Sequence, residues 1–191
     1  TNENMIYYGN HDASQLSIKT LRNHIGYVPQ DNFLFSDTIK NNIGFSFTSV
    51  SDDTVVKAAK LSDIHDNITE FKEQYQTMLG ERGVTVSGGQ KQRISIARAL
   101  AKDPTILILD DSVSAVDTKT EEAIIANLRA VRKGKTTLMI AHRISTVKKL
   151  DKIVLIDQGV LVGFGSHKEL LKSNPLYQEM VKLQELEALV G

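Results

Sequence analysis

Residues 104–117 read PTILILDDSVSAVD. Pro104 stops the segment before it, because a proline lacks the N–H and disfavours helix in the residue it follows. The run TILILD (105–110) is continuously apolar and of strand length, as in a sheet covered on both faces. It drives straight into two adjacent carboxylates, Asp110 and Asp111. Neighbouring acids repel each other and gain nothing from burial, so packing alone does not select them. In a parallel α/β sheet, ligands sit beyond the carboxyl ends of the strands, where such a pair can serve a magnesium ion or an attacking water. An acidic turn, or a helix start capped by Ser112, accounts for the same residues.

Outward from this strand the rhythm is strand–helix–strand. TKTEEAIIANLRAVRKG (118–134) is an amphipathic helix with Gly134 as its C-cap, and TTLMIA (136–141) is a second buried strand. KIVLIDQGVLVGFG (152–165) makes two strands about an Asp-Gln-Gly turn, and HKELLKSN and PLYQEMVKLQELEALV close the chain as helices. Upstream, short strands and turns run to IGYVPQ (25–30), where Pro29 ends regular structure. Residues 36–73 carry helical signals, with Ser36 or Asp37 before TIKNNI and Ser51 as a second N-cap. A glycine-punctuated loop, LGERGVTVSGGQ (79–90), leads into the helix KQRISIARALAKD (91–103). The pattern predicts an α/β chain with a parallel sheet lobe and a mostly helical block, divided near residues 30 and 103.

Composition narrows the class. The 191 residues suffice for a sizeable core, and 23 basic against 23 acidic residues leave no net charge to favour nucleic acid or acidic membranes. The absence of cysteine excludes disulfides and thiolate metal sites. No apolar run approaches the roughly 18–20 residues of a membrane span.

Three further features are candidates for chemistry. SGGQ (87–90) opens a helix, where paired glycines bring bare N–H groups near an anion and Ser87 adds a hydroxyl. An ordinary serine cap with a glycine turn reads the same way. His142 follows the strand TTLMIA directly and suits contact with a phosphate oxygen or water, although a lone histidine is more often structural, as His11, His24, His65 and His167 are read. Gln30, after Pro29, places an amide where a cleft would lie.

The order PQ–SGGQ–ILILDD–SAVD–AHR, with these spacings, resembles the nucleotide-binding domain of ABC transporters over essentially the whole chain. Gln30 matches the Q-loop, VSGGQKQR (86–93) the signature, ILILD (106–110) Walker B, Ser114-Ala115-Val116-Asp117 the D-loop and His142 the switch histidine. DNFLFSDTIKNNI (31–43) and TMLGERG (77–83), the latter like an X-loop, point to the exporter branch. The resemblance implies a P-loop NTPase (RecA-like) sheet lobe at 1–30 and 104–191 and a helical signature subdomain at 31–103. It also implies ATP and Mg²⁺ held in a head-to-tail dimer. Walker B, the Q-loop and His142 serve the chain's own site; Ser87, Gly88, Gly89 and Gln90 serve the partner's. Asp110 is then the magnesium-side acid, partly through water and with Gln30. Asp111, Gln30 and His142 are the catalytic set. The implied partners are a second such domain and the coupling helices of a membrane domain, with no nucleic acid, at the cytoplasmic face of a membrane.

The resemblance also marks departures. A phosphate-cradling G-x-x-x-x-G-K-[ST] is missing: Gly134-Lys135-Thr136 has its last letters, but Arg129 stands where the first glycine is required, and a helix precedes where a strand should. The chain is therefore expected to begin just past that loop and to bind ATP weakly alone. Val86 replaces a leucine and Met78 a glutamate. Asp111 stands where the family has the glutamate that polarises water. An acid one methylene shorter withdraws its carboxylate by roughly 1 Å, and a misplacement of that size costs on the order of 100-fold. This favours the slow half of a heterodimeric exporter, with a slow homodimer and a non-catalytic regulatory half as alternatives. A non-transport ABC ATPase fits less well, lacking the exporter-like X-loop.

Overall fold

A computed structural model describes residues 6–45, 50–80 and 85–190. The chain folds as two compact units, Thr1–Ile140 and Ala141–Gly191.

The first unit is built on a parallel three-stranded sheet in the order β3–β4–β5, with β3 at Ile25–Val28, β4 at Ile106–Asp110 and β5 at Thr136–Ile140. Val28 pairs with Leu109, and Asp110 with Ile140, so the carboxyl ends of the three strands lie together. Before the sheet come a small hairpin, β1 (Tyr7–Tyr8) with β2 (His11–Asp12), and helix α1 (Ile18–His24). Helix α1 corrects the expectation of only strands and turns there. Ser17 caps it by accepting from Thr20 N–H, a signal hidden by the lack of any buried residue on the helix.

Between β3 and β4 the chain forms α2 (Ile39–Gly44), α3 (Asp52–Leu61), α4 (His65–Glu70) and the 14-residue α5 (Gly88–Ala101). Ser51 caps α3 as expected. The cap of α2 is Thr38, neither Ser36 nor Asp37: Thr38 accepts from Asn41 N–H, while the Asp37 carboxylate takes Thr38 N–H and the Asn41 side chain. Helix α6 (Thr118–Val131) links β4 to β5. Its cap is Asp117, accepting from Thr120 N–H; Ser112 is 1% exposed and caps nothing. At its other end Arg132 is the C-cap. Gly134 lies beyond it, at φ +78°.

One core joins the sheet to the helices: Val28, Leu107 and Leu109 pack with Ile39, Val55, Ile68, Ile94 and Ile124. Among the described residues the other sheet face is covered only in part. Tyr27, Leu138 and Ile140 are 51–55% exposed on the strands, contrary to the expectation of two covered faces. A cavity of about 600 Å³ lies on that side, lined by Ile6, Tyr7, Leu16, Leu21, Ile108 and Leu138. At the amino-terminal ends of β4 and β5, Arg132 is buried with its guanidinium donating to the carbonyls of Pro104 and Thr136 and to Thr137 Oγ1.

The second unit contains α7 (Ile144–Val147), the antiparallel hairpin β6 (Ile153–Asp157) with β7 (Val160–Gly165), α8 (His167–Ser173) and α9 (Pro175–Val190). Its core is Ile144, Ile153, Leu170, Tyr177 and Val181. The histidines read as structural include His65, which shares a hydrogen bond with Tyr75 Oη (2.8 Å), and His167, which does so with Tyr177 Oη (2.9 Å). Among the described residues no helix is long and apolar enough to cross a membrane.

Candidate nucleotide site

Asp110 is the last residue of β4 and half-buried. Tyr27 of β3 pairs with Ile108, two positions before Asp110 and on the same face, and its hydroxyl donates to Asp110 Oδ2 at 3.1 Å. That bond and the adjacent negative charge raise the Tyr27 phenol above its ordinary value. The sequence did not single out Tyr27, because its partnership depends on the β3–β4 register.

Asp111 turns the chain away from the strand. Its φ is +46°, its N–H donates to the Ile140 carbonyl (3.1 Å), and its own carbonyl accepts from Ser114 Oγ (2.9 Å). A strand ending in a left-handed residue ties the second acid to the neighbouring strand while directing the following turn outward. Ser112, buried in that turn, has a hydroxyl with no protein partner. Gln30 follows β3 by two residues, as Asp111 follows Leu109, so the two lie beyond the ends of neighbouring strands. Gln30 is exposed, and its carbonyl accepts from the Asn32 side chain.

The segment after Gln30 is shaped by two side chains that the sequence alone did not mark. Asn42 is fully buried on α2: its Nδ2 donates to the carbonyls of Phe35, Asp37 and Thr38, and its Oδ1 accepts from Phe35 N–H (2.8 Å). Arg98 of α5 donates to the carbonyls of Asn42 (2.7 Å) and Phe33 (2.9 Å) and to Asn42 Oδ1 (2.9 Å). Burial lowers the Arg98 pKa. The guanidinium lies against the rings of Phe35 and Phe45, and Phe33 beside them is 64% exposed.

Ser87 to Gln90 form the start of α5. Ser87 Oγ accepts from Gln90 N–H, and the Gln90 side chain accepts from Ser87 N–H, a complete capping box. The capping and anion readings of this stretch are compatible, since the first helical N–H groups have no partner further back in the helix. Gly89 has a steric reason: a Cβ there would stand 2.8 Å from the Ala115 carbonyl oxygen. The signature helix therefore abuts the turn 112–117 that follows the acids. Gln92, 7% exposed, spans the contact. Its Oε1 accepts from Ala115 N–H (3.0 Å), and its Nε2 donates to Ser114 Oγ (3.3 Å).

Asp117 ends this turn. Its carboxyl is held below the ordinary value by the Thr120 backbone and side-chain hydrogen bonds of its cap. His142 belongs to the second unit, is exposed, and has its carbonyl bonded by Gln184 Nε2 (2.6 Å). Lys135 of the P-loop-like GKT pairs with Asp103 (2.6 Å) just before β5 begins, at the amino-terminal edge of the sheet and away from the acids. Met78 is 45% exposed and bridges Thr38, whereas Glu81 to Gly83 of the X-loop-like stretch lie outside the described residues.

The donor set suits magnesium. Among the described residues no cluster of three or more His, Cys, Asp or Glu side chains could hold a metal alone. Magnesium needs none, because it is commonly bound by one or two carboxylates, with waters and substrate phosphates completing its shell.

The sequence profile described as "ABC transporter" matches residues 1–114. A probable multidrug resistance ABC transporter ATP-binding/permease protein of Bacillus subtilis, YheI, is 47% identical over 184 residues, 96% of this chain and 32% of that protein. ATP-binding cassette sub-family B member 6 of Mus musculus is 47% identical over 174 residues, 91% of this chain and 21% of that protein. A solved structure of a bacterial Atm1-family ABC exporter with ATP bound superposes with a TM-score of 0.88 at 44% identity, covering 93% of this chain and 31% of that one. The chain thus spans a third or less of the length of these relatives. On this profile, and on an α/β fold with a parallel sheet, the chain belongs to the ABC transporter family.

Proposed function

We propose that the chain supplies part of an ATP-hydrolysing domain to a membrane exporter, working at the cytoplasmic face as one of two such domains. The observation that carries this is the meeting of α5's glycine-rich start with the turn after Asp110 and Asp111, within one unit. That juxtaposition places a phosphate-type helix terminus and an acidic pair on one scaffold. The relatives named as multidrug ATP-binding/permease proteins support the transport setting.

In this reading residues 1–30 and 104–191 belong to the sheet lobe and 31–103 to the signature subdomain. Asp110, oriented by Tyr27, is the acid that with Gln30 holds magnesium; the ion supplies charge neutralisation to the phosphates of ATP. Asp111 orients the attacking water and accepts its proton; His142, of the second unit, is the proposed switch residue. Ser87, Gly88, Gly89 and Gln90 present hydrogen-bond donors to nucleotide in the partner's site, where Ser114 and Asp117 border the contact. Gln30 and the Asn42-organised segment behind it carry movement to the helical block. The exposed Phe33 and its neighbours receive the membrane domain.

The shorter arm of Asp111 supports a slow site within a heterodimer. The deciding experiment replaces each acid in turn in the assembled transporter and measures ATP turnover. Asp111→Glu should raise turnover at this site and Asp110→Asn should abolish it. An Asp111→Glu variant no faster than the parent would overturn the geometric reading. A second reading, a regulatory half that binds nucleotide without hydrolysis, is favoured if Asp111→Asn leaves total turnover unchanged.

A further inference from the structure

We propose that Gln92 is a positioning residue that couples the signature helix to the D-loop turn, so that a displacement of the partner-facing signature is passed to the backbone of the chain's own water-polarising acid. The proposal rests on the ATPase reading above. Ala115 N–H can only donate, so the Gln92 amide must turn its oxygen to Ala115 and its NH₂ toward Ser114 Oγ and the Asp111 carbonyl. Ser114 Oγ in turn donates to that Asp111 carbonyl at 2.9 Å. A chain of polar contacts thus runs from α5 through Gln92 and Ser114 to the backbone of Asp111.

Two further observations make it a rigid link. Gln92 is 7% exposed, so these bonds are shielded from competing water. Gly89, one helical turn earlier on α5, lets the helix approach the Ala115 carbonyl so closely that no side chain fits there. Helix and turn cannot slide past one another without breaking both contacts. Ser87 to Gln90 lie at the end of that same helix. A shift imposed on them by nucleotide in the partner's site is passed through Ser114 to Asp111, which belongs to the chain's own site. Gln92 touches neither nucleotide nor water in this scheme; it acts through Asp111.

The test has two arms. In this chain, amide hydrogen exchange is followed for the parent, Gln92→Met and Gln92→Glu. Methionine keeps the volume and removes both polar atoms, whereas glutamate keeps the acceptor for Ala115 N–H. Gln92→Met should speed exchange at Ala115 by about tenfold, the equivalent of one lost buried hydrogen bond. Residues 94–101 should stay protected, and Gln92→Glu should preserve protection at Ala115. Unchanged exchange at Ala115 in Gln92→Met overturns the lock, as does equal loss of protection along all of α5, which would mean a generally loosened helix.

In the assembled transporter, Gln92→Met should lower kcat for ATP with KM little changed, and Gln92→Glu should recover part of it. A rise in KM at unchanged kcat overturns the coupling. Absence of turnover in the parent assembly overturns the ATPase reading and the coupling with it, and the exchange data then still report whether the lock exists.

Discussion

Asp111 sits at φ +46°, in the left-handed region where aspartate and asparagine are several-fold enriched over other non-glycine residues. The short acid therefore suits the turn that holds it as well as slowing the chemistry proposed for it. Asp111→Glu should trade one for the other: faster ATP turnover, with stability lowered by less than about 1 kcal/mol because a longer side chain tolerates this backbone less well. Paired turnover and denaturant-midpoint measurements check both signs, and an equally slow variant would leave arm length irrelevant. The acidic pair was legible in the sequence because two carboxylates after an apolar strand have no packing rationale. Tyr27 and Gln92 were not. Each acts across more than 20 residues of sequence, through a strand register and a helix–turn contact that only the folded chain creates.

Among the elements, the stretch 33–37 has no regular structure and owes its shape to Asn42 and Arg98. Asn42→Ala would strand the half-buried N–H of Phe35 and one Arg98 donor, while the carbonyls of Phe35, Asp37 and Thr38 keep backbone partners. We expect a loss of about 2 kcal/mol, since each unsatisfied buried group costs roughly 1–3 kcal/mol. Chemical denaturation measures this; a loss under 1 kcal/mol would mean water replaces the asparagine. Arg98→Lys should also loosen the segment, because an ammonium lacks the planar fork that reaches Phe33 and Asn42 together.

Helix α8 carries a pH-dependent cap. Glu169 completes the Ser166 capping box and pairs with Lys152, and the Ser166 hydrogen bonds, with Lys152 next, lower its pKa from 4.5 to about 2. A lowered folded pKa means that the cap's contribution is fully present above about 4.5 and is lost as pH falls toward about 2. NMR titration of the Glu169 carboxyl should give a midpoint near 2, and Ser166→Ala, which keeps the backbone donor and Lys152, should raise it only in part. Element boundaries were legible to within a few residues. One misreading came where several candidate caps crowd together, at Ser36, Asp37 and Thr38, and only the folded chain shows which oxygen is already engaged.

At the scale of the molecule, the alternation of strand and helix around TILILD was enough to read the parallel sheet, because both β4 and β5 are apolar strands separated by an amphipathic helix. Coverage of the sheet was not legible, since a continuous apolar run looks the same whether one face or two are packed. The 191 residues contain no phosphate-cradling loop, and Lys135 of the nearest look-alike is committed to Asp103. This chain alone should accordingly bind ATP more weakly than micromolar, and a titration giving micromolar affinity would refute that.

The open face has a practical side. Leu138 and Ile140 are more than half exposed on β5, an edge strand in the sheet order of the first unit. An apolar edge strand is a template for pairing with another polypeptide, and natural sheets usually blunt it with charge, proline or a covering element. We expect the chain expressed by itself to associate with its own copies through this edge, and light scattering that stays flat with rising concentration would refute that.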